Sequence, residues 1–256
     1  MYSAHEVALV NKLWAEGKNK SEISRATGIS RFTIREWLEG RTPDFDGHRV
    51  GAVGHARYAC PVCTDHLESL LPREEYVYLL GLYLGDGCLS VSKKGVYRLR
   101  IACCDAYPQL MDWCEEAMSA VLPTKVGRIH HVGCTELYSD SKHWGCLFPQ
   151  HGSGRKHERK IELVPWQQEL VDADPRPLIR GLIHSDGTRV LNRAVGTDYP
   201  PYPRYHFTNA SADIREIFTR ACDAIGVEWR YNNARNISVA KRASVAILDS
   251  FIEPKS

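Results

Sequence analysis

Hydrophobic and polar positions follow two different periods along the chain. Between residues 5 and 38, apolar residues recur every three or four positions in three short stretches, which Gly17 and Gly28 separate. That spacing predicts three short amphipathic helices. Further along, the segments 97–101 and 204–208 alternate apolar and polar residues. An alternation of two predicts strands with one buried face and one polar face, so the chain combines a helical start with a mixed region.

Two apolar segments a hundred residues apart, 79–87 and 179–187, share one pattern: small residues four positions apart, followed by Asp-Gly. Small residues at i and i+4 lie on one helix face, so two such helices can pack with their backbones unusually close. Gly87 and Gly187 are predicted to end these helices in the left-handed conformation. The pattern therefore predicts a close helix pair that ends in two adjacent carboxylates.

Asp86 and Asp186 would be destabilised at such a position. Each lies at the negative end of a helix dipole, and two carboxylates 5 Å apart repel by about 3 kcal/mol at an effective dielectric near 20. A divalent cation between them would convert this repulsion into binding, and carboxylate oxygens suit Mg²⁺. The alternative is that Asp-Gly is merely a common turn dipeptide, or that the pair holds a structural cation.

The elements after each apolar segment recur in the same order: strand pair, helix, strand pair. In the first half the predicted elements are strands at 89–92 and 96–101, a helix at 108–121, and strands at 125–132 and 135–139. In the second half they are a strand at 204–208, a helix at 212–226, strands at 228–232 and 236–240, and a helix at 244–251. The region is therefore predicted to be an internal duplication.

The two segments resemble the LAGLIDADG motif of homing endonucleases, in the single-chain form that carries the motif twice. The resemblance implies two α/β halves with pseudo-twofold symmetry, joined by the motif helices, and a β-saddle that faces DNA. It also implies that Asp86 and Asp186 bind the catalytic Mg²⁺, and that each half adds a basic residue. Lys156 or Lys160 would supply it in the first half, and Lys255 in the second. The second motif departs from the pattern at Arg180 and His184.

The polar faces of the predicted strands have the composition of a duplex-binding surface. Arginine neutralises phosphates, and Asn, Thr and Arg on a β-ribbon can read base edges in the major groove. A solvated sheet face is the alternative. The candidate contacts are Arg98, Arg100, Arg128, Arg204, His206, Thr208, Arg230, Asn232 and Asn236.

The first forty residues follow the order helix, short glycine-containing turn, helix, and the stretch 21–30 resembles the helix-turn-helix domains of bacterial regulators and recombinases. Ser21 and Ser30 are the predicted N-caps of the second and third helices. By the resemblance the third helix enters the major groove and presents Arg31, Thr33 and Arg35. A packing module without DNA contact is the alternative.

The segment 42–73, rich in Gly, Pro and His, is predicted to be a linker between domains at 1–41 and 74–256, the latter with halves at about 74–160 and 161–256. Cys60 and Cys63, with His66 and His55, could form a Zn²⁺ knuckle. Free thiols are the alternative.

Composition restricts the class of protein further. Among 256 residues, 33 are Lys or Arg and 31 are Asp or Glu, so the net charge is only +2 and any polyanion must bind through local patches. Nine scattered cysteines do not form a disulfide framework and indicate a reducing cytoplasm. A signal-peptide core and an apolar run of membrane-spanning length are both absent.

The combined prediction is an α+β protein: a three-helix DNA-binding domain followed by a duplicated LAGLIDADG-type domain. We expect a monomer that binds double-stranded DNA and hydrolyses its phosphodiester bonds with Mg²⁺. The alternative is a transcriptional regulator that uses the same fold without cutting, since an N-terminal helix-turn-helix is typical of regulators.

Overall fold

The structure, a computed structural model, describes residues 4–40, 71–193 and 200–255. By its internal contacts the chain separates into two units, Met1–Tyr58 and Ala59–Ser256. The units are described one at a time. Among the described residues, no helix is both long enough and apolar enough to span a membrane.

The first unit contains the three helices that the apolar spacing predicts, α1 (Ala4–Ala15), α2 (Lys20–Thr27) and α3 (Arg31–Leu38). Gly17 and Gly28 both have positive φ, as expected where a helix ends at glycine. The small core consists of buried side chains from all three helices and the α2–α3 turn. They are Val7, Val10, Ile23, Ile29, Ile34 and Trp37.

The predicted cap of α2 is wrong, whereas that of α3 is confirmed. Asn19, not Ser21, caps α2: its side chain accepts hydrogen bonds from the backbone N–H groups of Ser21 and Glu22, both 3.0 Å long. The Glu22 carboxylate in turn accepts from the Asn19 N–H, which completes a capping box. In α3, the Ser30 hydroxyl accepts from the Thr33 N–H. Both asparagine and serine are good caps, so residue type alone could not place the start of α2.

The second unit contains the remaining elements, in an order that repeats. The first half comprises α4 (Arg73–Asp86), β1 (Gly87–Val91), β2 (Tyr97–Cys104), α5 (Pro108–Val121), β3 (Val126–His131), β4 (Cys134–Ser141) and α6 (Trp144–Leu147). The second half comprises α7 (Pro165–Ala173), α8 (Arg176–Asp186), β5 (Gly187–Asn192), β6 (Tyr202–Thr208), α9 (Ala212–Ala224), β7 (Arg230–Asn233), β8 (Asn236–Val239) and α10 (Arg242–Asp249).

Each half forms a four-stranded antiparallel sheet with the same strand order, β1-β2-β4-β3 and β5-β6-β8-β7. The predicted duplication is therefore confirmed, together with the mixed helix and sheet class. Strand β5 was not predicted, because most of its residues are exposed and show no apolar alternation. Helix α6 was also missed, since its single turn is too short to show a period.

Helix α4 forms the centre of the second unit. From Tyr76 to Leu84 every residue is buried, and a helix that is apolar on all sides belongs in a core. Its Tyr76 hydroxyl donates to the Leu147 carbonyl at 2.7 Å, and the amide of Gln167 donates to that hydroxyl at 2.6 Å. This network ties the short helix α6 and helix α7 to the motif helix, so the first motif is held rigidly.

The glycines that follow the motif aspartates are not in the predicted conformation. Gly87 and Gly187 are extended, with φ of −87° and −104°, and each is the first residue of a strand. Glycine is needed here for a different reason, because the backbone at each position passes too close to the preceding helix to leave room for a Cβ. A Cβ at Gly87 would lie 2.5 Å from the Tyr83 Cα, and one at Gly187 would lie 2.6 Å from the Ile183 Cα. Each strand therefore folds back directly over the last turn of its helix.

Candidate active site

The two motif helices cross at their small residues. A Cβ added to Gly81 of α4 would lie 2.6 Å from the Leu178 carbonyl oxygen and 2.9 Å from the Gly181 Cα of α8. These distances are shorter than any van der Waals contact, so glycine is required for the observed backbone separation. One turn later, a Cβ at Gly85 would overlap the Ser185 side chain. The pattern of small residues thus produces the close crossing that it predicts.

This crossing brings Asp86 and Asp186, the last residues of α4 and α8, to one place. The position of a Cβ at Gly85 is only 3.1 Å from Oδ2 of Asp186, so that carboxylate lies against the end of the opposite helix. Loss of hydration and, to a smaller extent, the charge of Asp86 together raise the pKa of Asp186 to about 6. The pKa of Asp86 is also raised, again mainly by loss of hydration. Burial therefore disfavours the charged form of both acids, and the charge of Asp86 adds to this effect at Asp186.

Two lysines lie beside these acids, one for each helix end. Lys156 donates to the carbonyl oxygens of Tyr83, Leu84 and Gly85, at 2.6, 2.9 and 2.6 Å. Lys255 donates to the carbonyls of Ser185 and Gly187, at 3.3 and 2.7 Å. The final carbonyls of a helix have no partner within the helix, and both ammonium groups donate to carbonyls of this kind; the second acceptor of Lys255, Gly187, is the first residue of β5.

The charges of these lysines and of the motif acids act on one another. Burial lowers the pKa of Lys156 to about 8, and the charges of Asp186 and Asp86 oppose that change. Burial also lowers the pKa of Lys255, against the same two acids. The site therefore collects two acids and two ammonium groups, of which Asp86 is exposed and the other three are half-buried.

The two lysines differ in how many donors remain. An ammonium group has three N–H donors. In the described structure Lys156 uses all three on helix carbonyls, whereas Lys255 uses two. Lys255 can therefore bind an additional oxygen without releasing a carbonyl, and Lys156 cannot.

Lys160 does not occupy the position that was considered for it. Its ammonium forms an ion pair with Glu162 at 2.5 Å, and 73% of its side chain is exposed. The acids that influence it are Glu162, Asp213 and Glu216. Of the two lysines considered for the first half, Lys156 is the one that lies beside the motif aspartates.

Asn209 is a residue of the site that sequence reasoning missed. Its amide nitrogen donates to Oδ2 of Asp186 at 2.6 Å, and its Oδ1 accepts from the Ser211 N–H at 2.7 Å. The second bond is an Asx-turn, which fixes the side chain as the chain leaves β6 and enters α9. An Asn-x-Ser sequence directly after a strand was the available signal.

A metal at this site would depend chiefly on the two aspartates. Among the residues that the structure describes, no three His, Cys, Asp or Glu side chains gather into a cluster. Mg²⁺ does not need such a cluster, because it usually keeps several waters and takes one or two carboxylates together with substrate phosphates. Two acids with raised pKa values fit that donor set. The possible zinc ligands Cys60, Cys63, His66 and His55 lie outside the described residues.

The open face of the first sheet carries paired charges. Arg98 donates to both carboxylate oxygens of Asp140, at 2.8 and 2.6 Å. Arg100 donates to the Ser90 hydroxyl and lies 3.5 Å from a carboxylate oxygen of Glu136. Each arginine is thus held upright beside an acid on the neighbouring strand, which reduces the positive charge of this face.

Arg128 lies on the opposite face of that sheet, so its predicted position is wrong. It pairs across the ladder with the buried Leu137, and residues directly opposite each other point to the same side. Its guanidinium binds Asp112 at 2.8 Å and Glu115 at 2.7 Å, both on α5. A β-hairpin offset by one residue reverses every side chain, and the pattern of 125–132 could not fix that offset.

The open face of the second sheet carries a network of polar side chains. His206 bonds to Asn236 at 3.2 Å, and the Asn232 amide donates to Asn236 at 2.9 Å and lies 3.2 Å from His206. Asn236 also donates to the Thr208 hydroxyl. Arg204 donates to the Tyr202 hydroxyl at 2.7 Å. Arg230 is exposed on the outer strand β7, opposite Ser238.

The predicted contact residues of the first unit lie on α3. Arg31 and Arg35 are exposed, and Arg35 lies within 4.0 Å of Glu36 and Glu39 and stacks on Phe32. The Thr33 hydroxyl shares a 2.8 Å hydrogen bond with that of Ser30. Among the residues that the structure describes, Arg31 has no ion-pair partner, whereas Arg35 is partly neutralised.

Solved structures resemble this chain, although no protein-family model and no curated protein matches its sequence. The chain is similar to LAGLIDADG proteins. The homing endonuclease I-DmoI in complex with DNA and Mn matches 71% of this chain and 97% of its own, with 16% identity and a TM-score of 0.47. The LAGLIDADG meganuclease I-AabMI bound to uncleaved DNA matches 69% of this chain and 82% of its own, with 14% sequence identity and a TM-score of 0.44.

The N-terminal LAGLIDADG domain of DUF199/WhiA is also similar, over 75% of this chain and 87% of its own, with 10% identity and a TM-score of 0.45. The similarity that the two motifs imply is therefore found among solved structures.

Proposed function

We propose that this chain is a site-specific endonuclease that binds double-stranded DNA and hydrolyses its phosphodiester bonds with Mg²⁺. One observation carries the proposal: the crossing of α4 and α8 gathers Asp86, Asp186, Lys156 and Lys255 at the ends of two helices. Acids held together against their repulsion need a cation, and ammonium groups beside them suit the charge of a phosphate.

Each residue has a distinct role in this proposal. Asp86 and Asp186 would hold Mg²⁺, which supplies Lewis acidity at the scissile phosphate and lowers the pKa of water. Asn209 fixes the orientation of the Asp186 carboxylate. Lys255 offers its remaining donor to the charge that develops on the phosphate, and Lys156 stabilises the end of α4.

Recognition of the duplex is assigned to the open faces of both sheets and to α3. Phosphate binding falls to arginines, and base reading to the amide, imidazole and hydroxyl groups. The proposed contacts are Arg31, Thr33, Arg35, Arg98, Arg100, Arg204, His206, Thr208, Arg230, Asn232 and Asn236. Because arginines contact phosphates, DNA affinity is expected to fall as the salt concentration rises. Acids pair with several of these arginines, so few phosphates are contacted, and their number sets the slope of the salt dependence.

The test begins with duplexes selected by binding from a random pool. The bound duplexes are then incubated with the protein in MgCl₂ and their ends are mapped. We expect defined double-strand breaks, which disappear in Asp86→Asn and Asp186→Asn while binding is retained. Asp172→Asn is the matched control, since this exposed acid lies on α7 and accepts a hydrogen bond from Gln168 of the same helix.

Binding without breaks in the wild-type protein, in both MgCl₂ and MnCl₂, would contradict the nuclease and leave a DNA-binding regulator. Absence of any selected duplex would contradict both functions. Breaks that persist unchanged in Asp86→Asn and Asp186→Asn would place the chemistry at another site.

A further inference from the structure

The second motif departs from the first at two positions, and both side chains contact neighbouring residues. Where α4 has the buried Leu80 and Leu84, α8 has Arg180 and His184. His184 is only 1% exposed. A buried polar side chain in an otherwise apolar helix pair reduces stability unless its hydrogen bonds are satisfied. Both bonds of this histidine are satisfied, which points to a purpose other than packing.

The hydrogen bonds of His184 fix its protonation. Its Nε2 lies 3.1 Å from the carbonyl oxygen of Glu253, which can only accept, so Nε2 must carry a proton. Its Nδ1 lies 2.9 Å from the Tyr78 hydroxyl. With the proton on Nε2, the neutral ring accepts at Nδ1 from the Tyr78 hydroxyl. Trp113 stacks flat on the ring at 5.1 Å and 7°.

Arg180, one turn earlier, reaches the same segment. Its Nε lies 2.8 Å from Oε2 of Glu253, an ion pair by distance although not aligned as a hydrogen bond. Its guanidinium packs over the rings of Tyr78 and Trp113, at 4.5 and 5.2 Å. Glu253 is therefore held twice, through its side chain by Arg180 and through its backbone by His184.

Holding Glu253 restricts Lys255. Only Pro254 separates the two residues; its ring fixes its own φ and keeps the preceding residue extended. Few free backbone torsions therefore remain between the anchored carbonyl and Lys255, whose ammonium contacts the carbonyls of Ser185 and Gly187. The first half is built differently, since Arg159 braces the loop around Lys156 by donating to the carbonyls of Gln150 and Gly154.

We propose that Arg180 and His184 are positioning residues, which anchor Glu253 and thereby hold Lys255 at the end of α8 beside the two motif aspartates. The importance of this position for catalysis rests on the proposed nuclease function. The anchoring itself does not, and it is measured separately.

The anchoring is tested by ¹³C relaxation of the lysine Cε groups in the full chain. His184→Leu introduces the side chain that α4 has at the equivalent position, Leu84. Arg180→Leu likewise introduces the side chain of the equivalent Leu80. We expect Lys255 to become more mobile in both, with a relaxation rate changed by about twofold. Lys156 is the internal control and should not change. Arg159→Met should release Lys156 and leave Lys255 unaffected.

A matched pair of variants separates anchoring from general packing. The amide nitrogen of glutamine can take the place of Nε2, whereas that of asparagine takes the place of Nδ1. His184→Gln can still donate to the Glu253 carbonyl and should keep Lys255 ordered, while His184→Asn should release it. The proposal would be overturned if Lys255 were equally mobile in the wild-type protein, His184→Gln and His184→Asn. It would also be overturned if Lys255 were no more mobile in the two leucine variants than in the wild-type protein.

The catalytic consequence is tested by a double-mutant cycle on cleavage of a selected duplex. His184→Asn should slow single-turnover cleavage by about two- to tenfold, the range expected for one lost hydrogen bond. The same change should have no further effect in a Lys255→Met background. Additive losses would show that His184 does not act through Lys255. If the wild-type chain does not cleave, the nuclease function fails and the relaxation data alone decide the anchoring.

Discussion

The helix crossing predicts a specific exchange of side chains between α4 and α8. Gly85 and Ser185 face each other so closely that a Cβ on Gly85 would overlap both Cβ and Oγ of Ser185. Rotation of Ser185 could remove the Oγ overlap but not the Cβ overlap, because the backbone fixes Cβ. Gly85→Ser is therefore expected to push the helices apart, whereas Gly85→Ser with Ser185→Gly restores the original number of side-chain atoms at the crossing.

The size of the effect follows from packing and helix propensity. Overpacking a core costs about 1–3 kcal/mol, and we expect Gly85→Ser to lie near 3 because a fixed atom is in the way. Ser185→Gly should cost about 0.5 kcal/mol through helix propensity. Additive losses would total about 3.5 kcal/mol, but the double variant should lose only about 1. The interaction energy is therefore about 2.5 kcal/mol in favour of the exchange.

Urea unfolding followed by far-UV circular dichroism measures these free energies of unfolding. Gly85→Ser with Ser185→Ala is the matched control: alanine keeps Cβ, so this pair should not be rescued. Equal rescue by alanine and glycine, or additive losses in the exchanged pair, would refute the inferred closeness of the two helices.

Three further predictions concern the charged groups. Lys255→Met is expected to slow cleavage by at least about tenfold. Lys156→Met should instead lower the free energy of unfolding by about 1–3 kcal/mol, because it removes an ammonium that donates to three carbonyls at the end of α4. Cleavage kinetics and urea unfolding compare the two variants, and equal effects in both assays would contradict the difference. In metal-free protein, the folded-state pKa of Asp186, about 6, exceeds its ordinary 3.8; its contribution to stability is complete below the lower value and is lost as pH rises through the higher one. The melting temperature should therefore fall over that interval, less so in MgCl₂ and less so in Asp186→Asn, and an identical fall in that variant would refute the assignment. Arg128→Met should leave DNA affinity within about twofold, whereas Arg100→Met should weaken it by about tenfold; titration of a selected duplex checks both, and a loss in Arg128→Met would place that residue back on the DNA side.

The sequence predicted those features that depend on a short local pattern. Small residues four apart require a close helix contact, and alternation in β2 and β6 separates Leu99 and Phe207 on the buried side from Arg100 and His206 on the open side. Both patterns are set by neighbours in the chain. They do not depend on how distant segments align, and for that reason they could be read without a structure.

Features that depend on alignment between segments were not predictable in the same way. The side of the sheet on which Arg128 lies is fixed by its pairing with Leu137 across a hairpin, and one residue of offset would have reversed it. Gly87 is glycine because a strand folds back over Tyr83, which the Asp-Gly dipeptide alone does not reveal. In both places the decisive contact lies outside the pattern that was read.

The two lysines show how far duplication can extend such reasoning. Lys156 follows Asp86 by 70 residues, and Lys255 follows Asp186 by 69, whereas Lys160 follows Asp86 by 74. A duplicated fold places equivalent residues at equal distances from equivalent motifs, so spacing alone favours Lys156. The two ammonium groups indeed cap equivalent helix ends. The restraints that hold them do not repeat, however: Arg159 braces one and Glu253 the other. Equal spacing thus locates a functional atom in each half, while the restraints on it must be found separately in each.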